Sequence, residues 1–331
     1  MTNKNITIDI PFLLEPVGKD YLWGGNKLKA EFNKNNIKCT PLAETWECST
    51  HPEGLSKIRS GIFKGEKFAT VLENNPEILC NSEHKNVFPV LLKLIDAKEK
   101  LSVQVHPSDE YAERNEKGQR GKTEFWYILD AEPGASIYLG FKNYCPKENI
   151  YKLIQSGELE AVLNKIPVKK GDSFLVKPGT VHAIGKGIIL AEIQENSNIT
   201  YRLYDYGRRD SKGKKRELHI AQALKILDVS TASVTQRRMK NVKYSVGVRK
   251  EELFSCKYFK SEAWSVTGIC YLPKANLNNI ILLCVEGGGE LFVSDSTEKI
   301  FNFTKGDCFF IPYSHKLFFT KGIYKIVVVR I

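Results

Sequence analysis

Gly171-Asp172-Ser173-Phe174-Leu175-Val176-Lys177-Pro178 has a near copy at Gly306-Asp307-Cys308-Phe309-Phe310-Ile311-Pro312. Each is a Gly-Asp turn, a short apolar run and a proline that stops it, which reads as a buried strand entered from a tight turn. Such an internal repeat predicts two related β modules in one chain. Around both copies, short runs rich in β-branched and aromatic residues recur between Gly, Pro, Asn and Asp, at 101–105, 125–129, 188–193, 280–285, 291–293 and 324–330. That pattern predicts an all-β sandwich or barrel. Helical spacing is expected at 108–115, capped by Ser108, at 147–164 and at 218–227. Composition changes over 229–245, which predicts a linker and a division into units 1–240 and 241–331. Gly287-Gly288-Gly289 reads as a strand-to-strand turn.

The 331 residues carry 49 Lys+Arg against 38 Asp+Glu, a net charge of +11. A basic balance suits an anionic partner. The basic residues are scattered, and the densest run, Arg208-Arg209-Asp210-Ser211-Lys212-Gly213-Lys214-Lys215-Arg216, reads first as a solvated loop and second as an anion site. No zinc finger, helix-turn-helix or RNA-binding signature accompanies it, so no nucleic-acid partner is expected. No apolar stretch approaches the roughly 20 residues of a membrane span, and no secretory h-region opens the chain. The eight cysteines lack CxxC spacing and sit among apolar neighbours, as buried thiols of a reducing compartment do. A cytoplasmic protein is expected. No GxGxxG, Walker A or GxSxG segment supports dinucleotide, ATP or serine-hydrolase chemistry.

Leu101-Ser102-Val103-Gln104-Val105-His106-Pro107 carries the chemistry. Strand alternation turns Ser102, Gln104 and His106 one way and Leu101, Val103 and Val105 the other, so an amide and an imidazole enter the presumed barrel together. Gly179-Thr180-Val181-His182 follows the first copy of the repeat. Lys122-Thr123-Glu124-Phe125-Trp126 puts Glu124 at the head of another strand. Gln104, His106, Glu124 and His182 then offer one amide oxygen, two imidazoles and one carboxylate. Such a set suits a borderline divalent cation with a position left open, Zn2+ first, with Fe(II) and Mn(II) compatible by ligand type.

The pattern of a Gln-x-His pair, a downstream acid and Gly171 with His182 at cupin spacing resembles the cupins, although Lys177 stands at the usual proline and Pro178 follows it. Within that superfamily the chain resembles the type I phosphomannose isomerases, short bacterial form. The likeness rests on Leu22-Trp23-Gly24-Gly25, Ala43-Glu44-Thr45-Trp46-Glu47-Cys48-Ser49, the three segments above, the stretch from Glu192 to Arg202, and Tyr204-Asp205-Tyr206-Gly207-Arg208. It implies a mainly β fold of two cupin (jelly-roll) β-barrel modules with a small helical insertion. It also implies one Zn2+ per chain on Gln104, His106, Glu124 and His182, and Arg202 and Lys122 as catalytic residues. Ser102 would serve the substrate phosphate and Trp23 the pocket. Two positions depart: Gly121 replaces a histidine of longer members, and Asn198 replaces an aspartate and cannot take up a proton as a carboxylate does.

The implied activity is interconversion of mannose 6-phosphate and fructose 6-phosphate through an enediol(ate). A metal-dependent oxygenase and a non-catalytic sugar-phosphate-binding cupin are the alternatives. The candidates for moving the proton are Lys122, a water on the cation, or a carboxylate such as Glu47, taken also as a substrate contact. The second module lacks a Gln-x-His or His-x-His pair, and its role is expected to be structural. Oligomeric state is not legible.

Overall fold

The computed structural model describes residues 9–79, 88–232, 241–275, 278–296 and 298–331. Its strands form three antiparallel sheets. One has six strands, in the order Ser173–Val176, Glu124–Ala131, Ile188–Glu195, Val90–Ala97, Glu44–Cys48 and Val17–Lys19. A second has five: Tyr201–Tyr204, Val103–Val105, His182–Ile184, Ser136–Phe141 and Leu163–Pro167. The third has nine and contains the C-terminal strands, among them Ile280–Val293, Cys308–Ile311 and Phe318–Arg330.

Alternation decides how these layers stack. Along Glu124–Ala131, Phe125, Tyr127 and Leu129 join a core shared with Ile281, Phe310 and Val329 of the nine-stranded sheet. Trp126 and Ile128 turn the other way, to Leu139 and Ile184 of the five-stranded sheet. The six-stranded sheet is therefore buried on both faces, and its inner face closes a barrel with the five-stranded sheet. Val103, Val105, Ala183 and Leu203 face outward from that second sheet and are covered by the helices Lys147–Ser156 and Ile220–Ile226.

The repeated motif is reproduced in its hydrogen bonds. Gly171 and Gly306 both have left-handed backbone, at φ 90° and 95°. Asp172 accepts from the Lys169 amide at 3.0 Å, as Asp307 does from the Thr304 amide at 2.8 Å. The carbonyls of Asp172 and Asp307 accept from Ile128 and Cys284, each at 2.9 Å. The same turn thus launches the same kind of strand in the six-stranded and the nine-stranded sheet.

Three features differ from the sequence reading. Phe12–Glu15 pairs with Cys308–Ile311 and Lys57–Ile58 pairs with Phe12–Glu15, so the nine-stranded sheet draws strands from both sides of residue 240. Gly287-Gly288-Gly289 is no turn: it lies inside the strand Ile280–Val293, opposite Tyr324, Ile323 and Gly322. A Cβ on Gly289 would come 2.6 Å from the Lys321 carbonyl, so the glycines allow close approach within a bent ladder. The helix expected over 147–164 ends at Ser156, because Gly157 takes a left-handed C-cap at φ 78°, and Leu163–Pro167 is a strand. Part of the expected linker, and Cys80, lie outside the described residues. The other seven cysteines are free. No helix among the described residues is long and apolar enough to cross a membrane.

Candidate active site

The five-stranded sheet brings three polar residues side by side. His182 is opposite Gln104 on one side, and Arg202 is opposite Gln104 on the other. Residues opposite one another share a face, and this face looks into the barrel. Ser102 and Gln104 line a cavity of about 220 Å³, as strand alternation predicts. Leu101 lines it too, because the strand begins only at Val103 and alternation does not reach back that far. Glu124 enters from the opposite sheet, at the head of its strand.

His106, Glu124 and His182 converge, each offering one ligand atom within 4.8 Å of the others. The His106 Nε2 lies 3.1 Å from Glu124 Oε1, and the His182 Nε2 lies 3.7 Å from Glu124 Oε2. Each ring's Nδ1 faces a backbone carbonyl, Ile199 at 2.8 Å and Thr180 at 2.9 Å. A carbonyl can only accept, so both Nδ1 atoms carry hydrogen and both Nε2 lone pairs point into the site. The two Nε2 atoms and Glu124 Oε2 are buried without a hydrogen-bond partner among the described residues. Leaving such atoms unpaired costs about 1–3 kcal/mol each. Two lone pairs and a carboxylate oxygen aimed at one point are satisfied together by a cation, and these residues fit a divalent metal.

Charge at the site follows from burial. His106 is held down at about 3, by burial first and then by the Lys122 ammonium, and burial lowers His182 as well. Burial pushes the Glu124 carboxyl up, but Lys122 and the two imidazoles outweigh it and hold it well below the usual carboxylate range. Imidazoles that stay neutral when folded, yet protonate when unfolded from their ordinary 6.5, pull the equilibrium toward unfolding as pH falls. The metal-free protein should therefore lose stability from pH 6.5 downward toward 3. The slope per imidazole is at most about 1.4 kcal/mol per pH unit. Urea unfolding at about pH 7.5 and about pH 5.5 measures it, and equal midpoints contradict it.

The rest of the cavity divides into a neutralised wall and a free cation. Lys93 lies 3.0 Å from Glu192 and 3.7 Å from Glu44. Those carboxylates also accept from the indoles of Trp126 and Trp46, at 2.9 and 2.8 Å. Lys122 reaches Glu124 at 2.7 Å. Arg202 has no carboxylate partner among the described residues. Its Nε donates to Ser102 Oγ at 3.3 Å and its Nη1 to the Glu217 carbonyl at 2.8 Å. Burial and then the neighbouring Arg216 lower its pKa, so an anion is what this corner lacks.

Gln104, Glu124, Lys122, Arg202, Ser102 and Trp23 all line the one cavity, Trp23 stacked on Tyr21 with centroids 5.6 Å apart. His106 and His182 stand behind it. Glu47 does not line it. On Glu44–Cys48 the inward residues are Glu44 and Trp46, and Glu47 faces the other way, paired with Lys34 at 2.7 Å and with Thr45 at 2.6 Å. Glu47, expected as a proton carrier and substrate contact, is thus turned away from the cavity, and Glu44, three residues earlier on the strand, lines it instead. Asn198 lines the cavity and donates to Glu53 at 2.6 Å.

Sequence reasoning missed Lys93, Glu192 and Arg216. Arg216 sits in the basic run read as a solvated loop, where Asp205 instead clamps it together with Arg208. A signal existed, since Asp205 lies just upstream in the Tyr204-Asp205-Tyr206 segment. Lys93 had none, because a strand buried on both faces shows no polar alternation. Glu192, although it opens the segment from Glu192 to Arg202 in the family likeness, was given no role there.

Residues 12–134 match the family model "Phosphomannose isomerase type I, catalytic domain". Mannose-6-phosphate isomerase ManA of Bacillus subtilis is 37% identical over 318 residues, 96% of this chain and 98% of that protein. A mannose-6-phosphate isomerase of Streptococcus mutans is 38% identical over 78% of this chain and 79% of its own. The crystal structure of the Bacillus subtilis mannose 6-phosphate isomerase superposes with a TM-score of 0.88 at 35% identity, covering 97% of this chain and 99% of that one. With both sequence and fold shared over nearly its whole length, the chain belongs to the type I phosphomannose isomerases.

Proposed function

We infer that the protein is a mannose-6-phosphate isomerase that interconverts mannose 6-phosphate and fructose 6-phosphate. The observation that carries the reading is that Glu124, unpartnered together with His106 and His182 just behind it, lines the same cavity as the uncompensated Arg202. Gln104, His106, Glu124 and His182 would hold one Zn2+. A bound Zn2+ supplies Lewis acidity toward the sugar's carbonyl and hydroxyl oxygens.

The chain's own side chains account for the rest. Moving a proton between C1 and C2 builds negative charge on the sugar oxygens. Arg202 and Lys122 place fixed positive charge where that happens, without reorganising at the moment of reaction. Arg202 with Ser102 forms the corner for the phosphate, where a guanidinium can donate two parallel hydrogen bonds. Trp23 and Tyr21 wall the cavity and keep water from the enediol(ate). Glu47 has no place in the proton transfer, being turned away. Besides the ligand set, the cavity groups that can carry a proton include Lys122, Lys93, Tyr21, Glu44 and Glu192. The buried free thiols support a cytoplasmic location.

A coupled assay with mannose 6-phosphate, run before chelation, after it and after Zn2+ is restored, tests this. Turnover should vanish on chelation and return with Zn2+. No turnover by metal-loaded protein, or full turnover after complete metal removal, overturns the reading.

A further inference from the structure

Gly121, Lys122 and Thr123 form the short segment from which Lys122 enters the cavity, and each of their three amides is held by a different acceptor. The Gly121 N–H donates to Asp109 Oδ1 at 3.0 Å, and the Lys122 N–H to the Pro107 carbonyl at 3.0 Å. The Thr123 N–H donates to Glu195 Oε1 at 2.8 Å, and the Glu195 N–H returns a bond to the Thr123 carbonyl at 3.1 Å. Two of the three acceptors are carboxylates that take no part in the cavity.

Asp109 is not held by its own module alone. Its Oδ2 accepts from the Tyr258 hydroxyl and, at 3.1 Å, from the Lys257 ammonium. Both belong to the turn between Val248–Ser255 and Lys260–Tyr271, in the nine-stranded sheet. Glu195 Oε2 is buried without a donor, and burial, followed by the Asp109 charge among other causes, pushes that carboxyl up to about 7. A protonated Glu195 beside an ionised Asp109 is the arrangement two adjoining carboxyls adopt when they share one proton.

The glycine completes the contact. A Cβ at position 121 would run into the backbone of Ser108 and Asp109 and, at 2.8 Å, the Pro107 carbonyl. Only glycine lets the segment lie against the turn that follows His106. The missing histidine at this position is thus a packing requirement of the contact.

We propose that Lys257 and Tyr258 of the C-terminal module act through Asp109 and Glu195 to fix the Gly121–Lys122–Thr123 segment, as positioning residues for Lys122. The second module then does more than bury apolar surface: it sets where the pocket's ammonium stands. This rests on the isomerase reading for its kinetic arm only.

The test uses full-length, metal-loaded Tyr258→Phe and Lys257→Ala. Lys257 is largely exposed, so its variant keeps the test open should Tyr258→Phe fail to fold. Turnover of mannose 6-phosphate should fall about tenfold in Tyr258→Phe and less in Lys257→Ala, with KM within about twofold of wild type and metal content unchanged. Hydrogen exchange of the 121–123 amides should accelerate in the same order. Unchanged kcat in both variants overturns the proposal, as does a fall in kcat with wild-type exchange at 121–123. Exchange needs no substrate, so a wild type inactive toward mannose 6-phosphate defeats the isomerase reading, while wild-type exchange in the variants defeats the brace.

Discussion

Arg202→Ala is expected to lower kcat/KM for mannose 6-phosphate by about two to three orders of magnitude and to leave the metal in place. Arg202 is half-buried and has no carboxylate of its own among the described residues. Its contacts are a serine hydroxyl at 3.3 Å and a carbonyl at 2.8 Å. A cation so placed costs desolvation and gains it back when an anion arrives. Truncation removes the charge from the substrate's corner and with it the donor that meets Ser102 Oγ. Arg202→Lys should fall between wild type and alanine, because an ammonium keeps the charge but not the fork. Steady-state kinetics with metal analysis of the same samples decide the matter. Wild-type kinetics in Arg202→Ala would remove the residue from the site.

His182→Ala should weaken metal affinity by at least about a hundredfold and abolish turnover with it. The ring is fully buried, its centroid 4.7 Å from that of His106, and its Nδ1 is anchored on the Thr180 carbonyl. No other described imidazole is near enough to replace it. Loss of the ring also opens a void beside Trp126, whose ring centroid lies 5.5 Å away. Some destabilisation of the barrel therefore accompanies the loss of metal. Titration of the apoprotein with Zn2+ gives the affinity directly. Normal affinity would exclude His182 as a ligand.

The parts of this protein that could be read from its sequence are those fixed by local chemistry. The Gly-Asp turns announce themselves because a left-handed glycine and an aspartate bonding three residues back need those residue types. Gln104 and His106 could be set on one face because alternation holds over a short strand. Long-range pairing was not legible: nothing in Phe12–Glu15 says that it joins Cys308–Ile311, nearly 300 residues away. Alternation puts the two glutamates of Glu44–Cys48, three residues apart, on opposite faces, but only the pairing of that strand shows which face meets the cavity. The Gly287–Gly289 run is ambiguous in sequence because the same residues that make turns also permit close strand approach. The charged wall of Lys93 and Glu192 was hidden by a sheet covered on both sides.

Anomalous diffraction at the zinc edge, on crystals of the metal-loaded protein, addresses the central claim most directly. It should show one peak per chain, bonded at about 2.0–2.2 Å by the Nε2 atoms of His106 and His182 and by Glu124, with the Gln104 amide oxygen completing the set. A peak anywhere else, or fully active crystals with none at these residues, would contradict it.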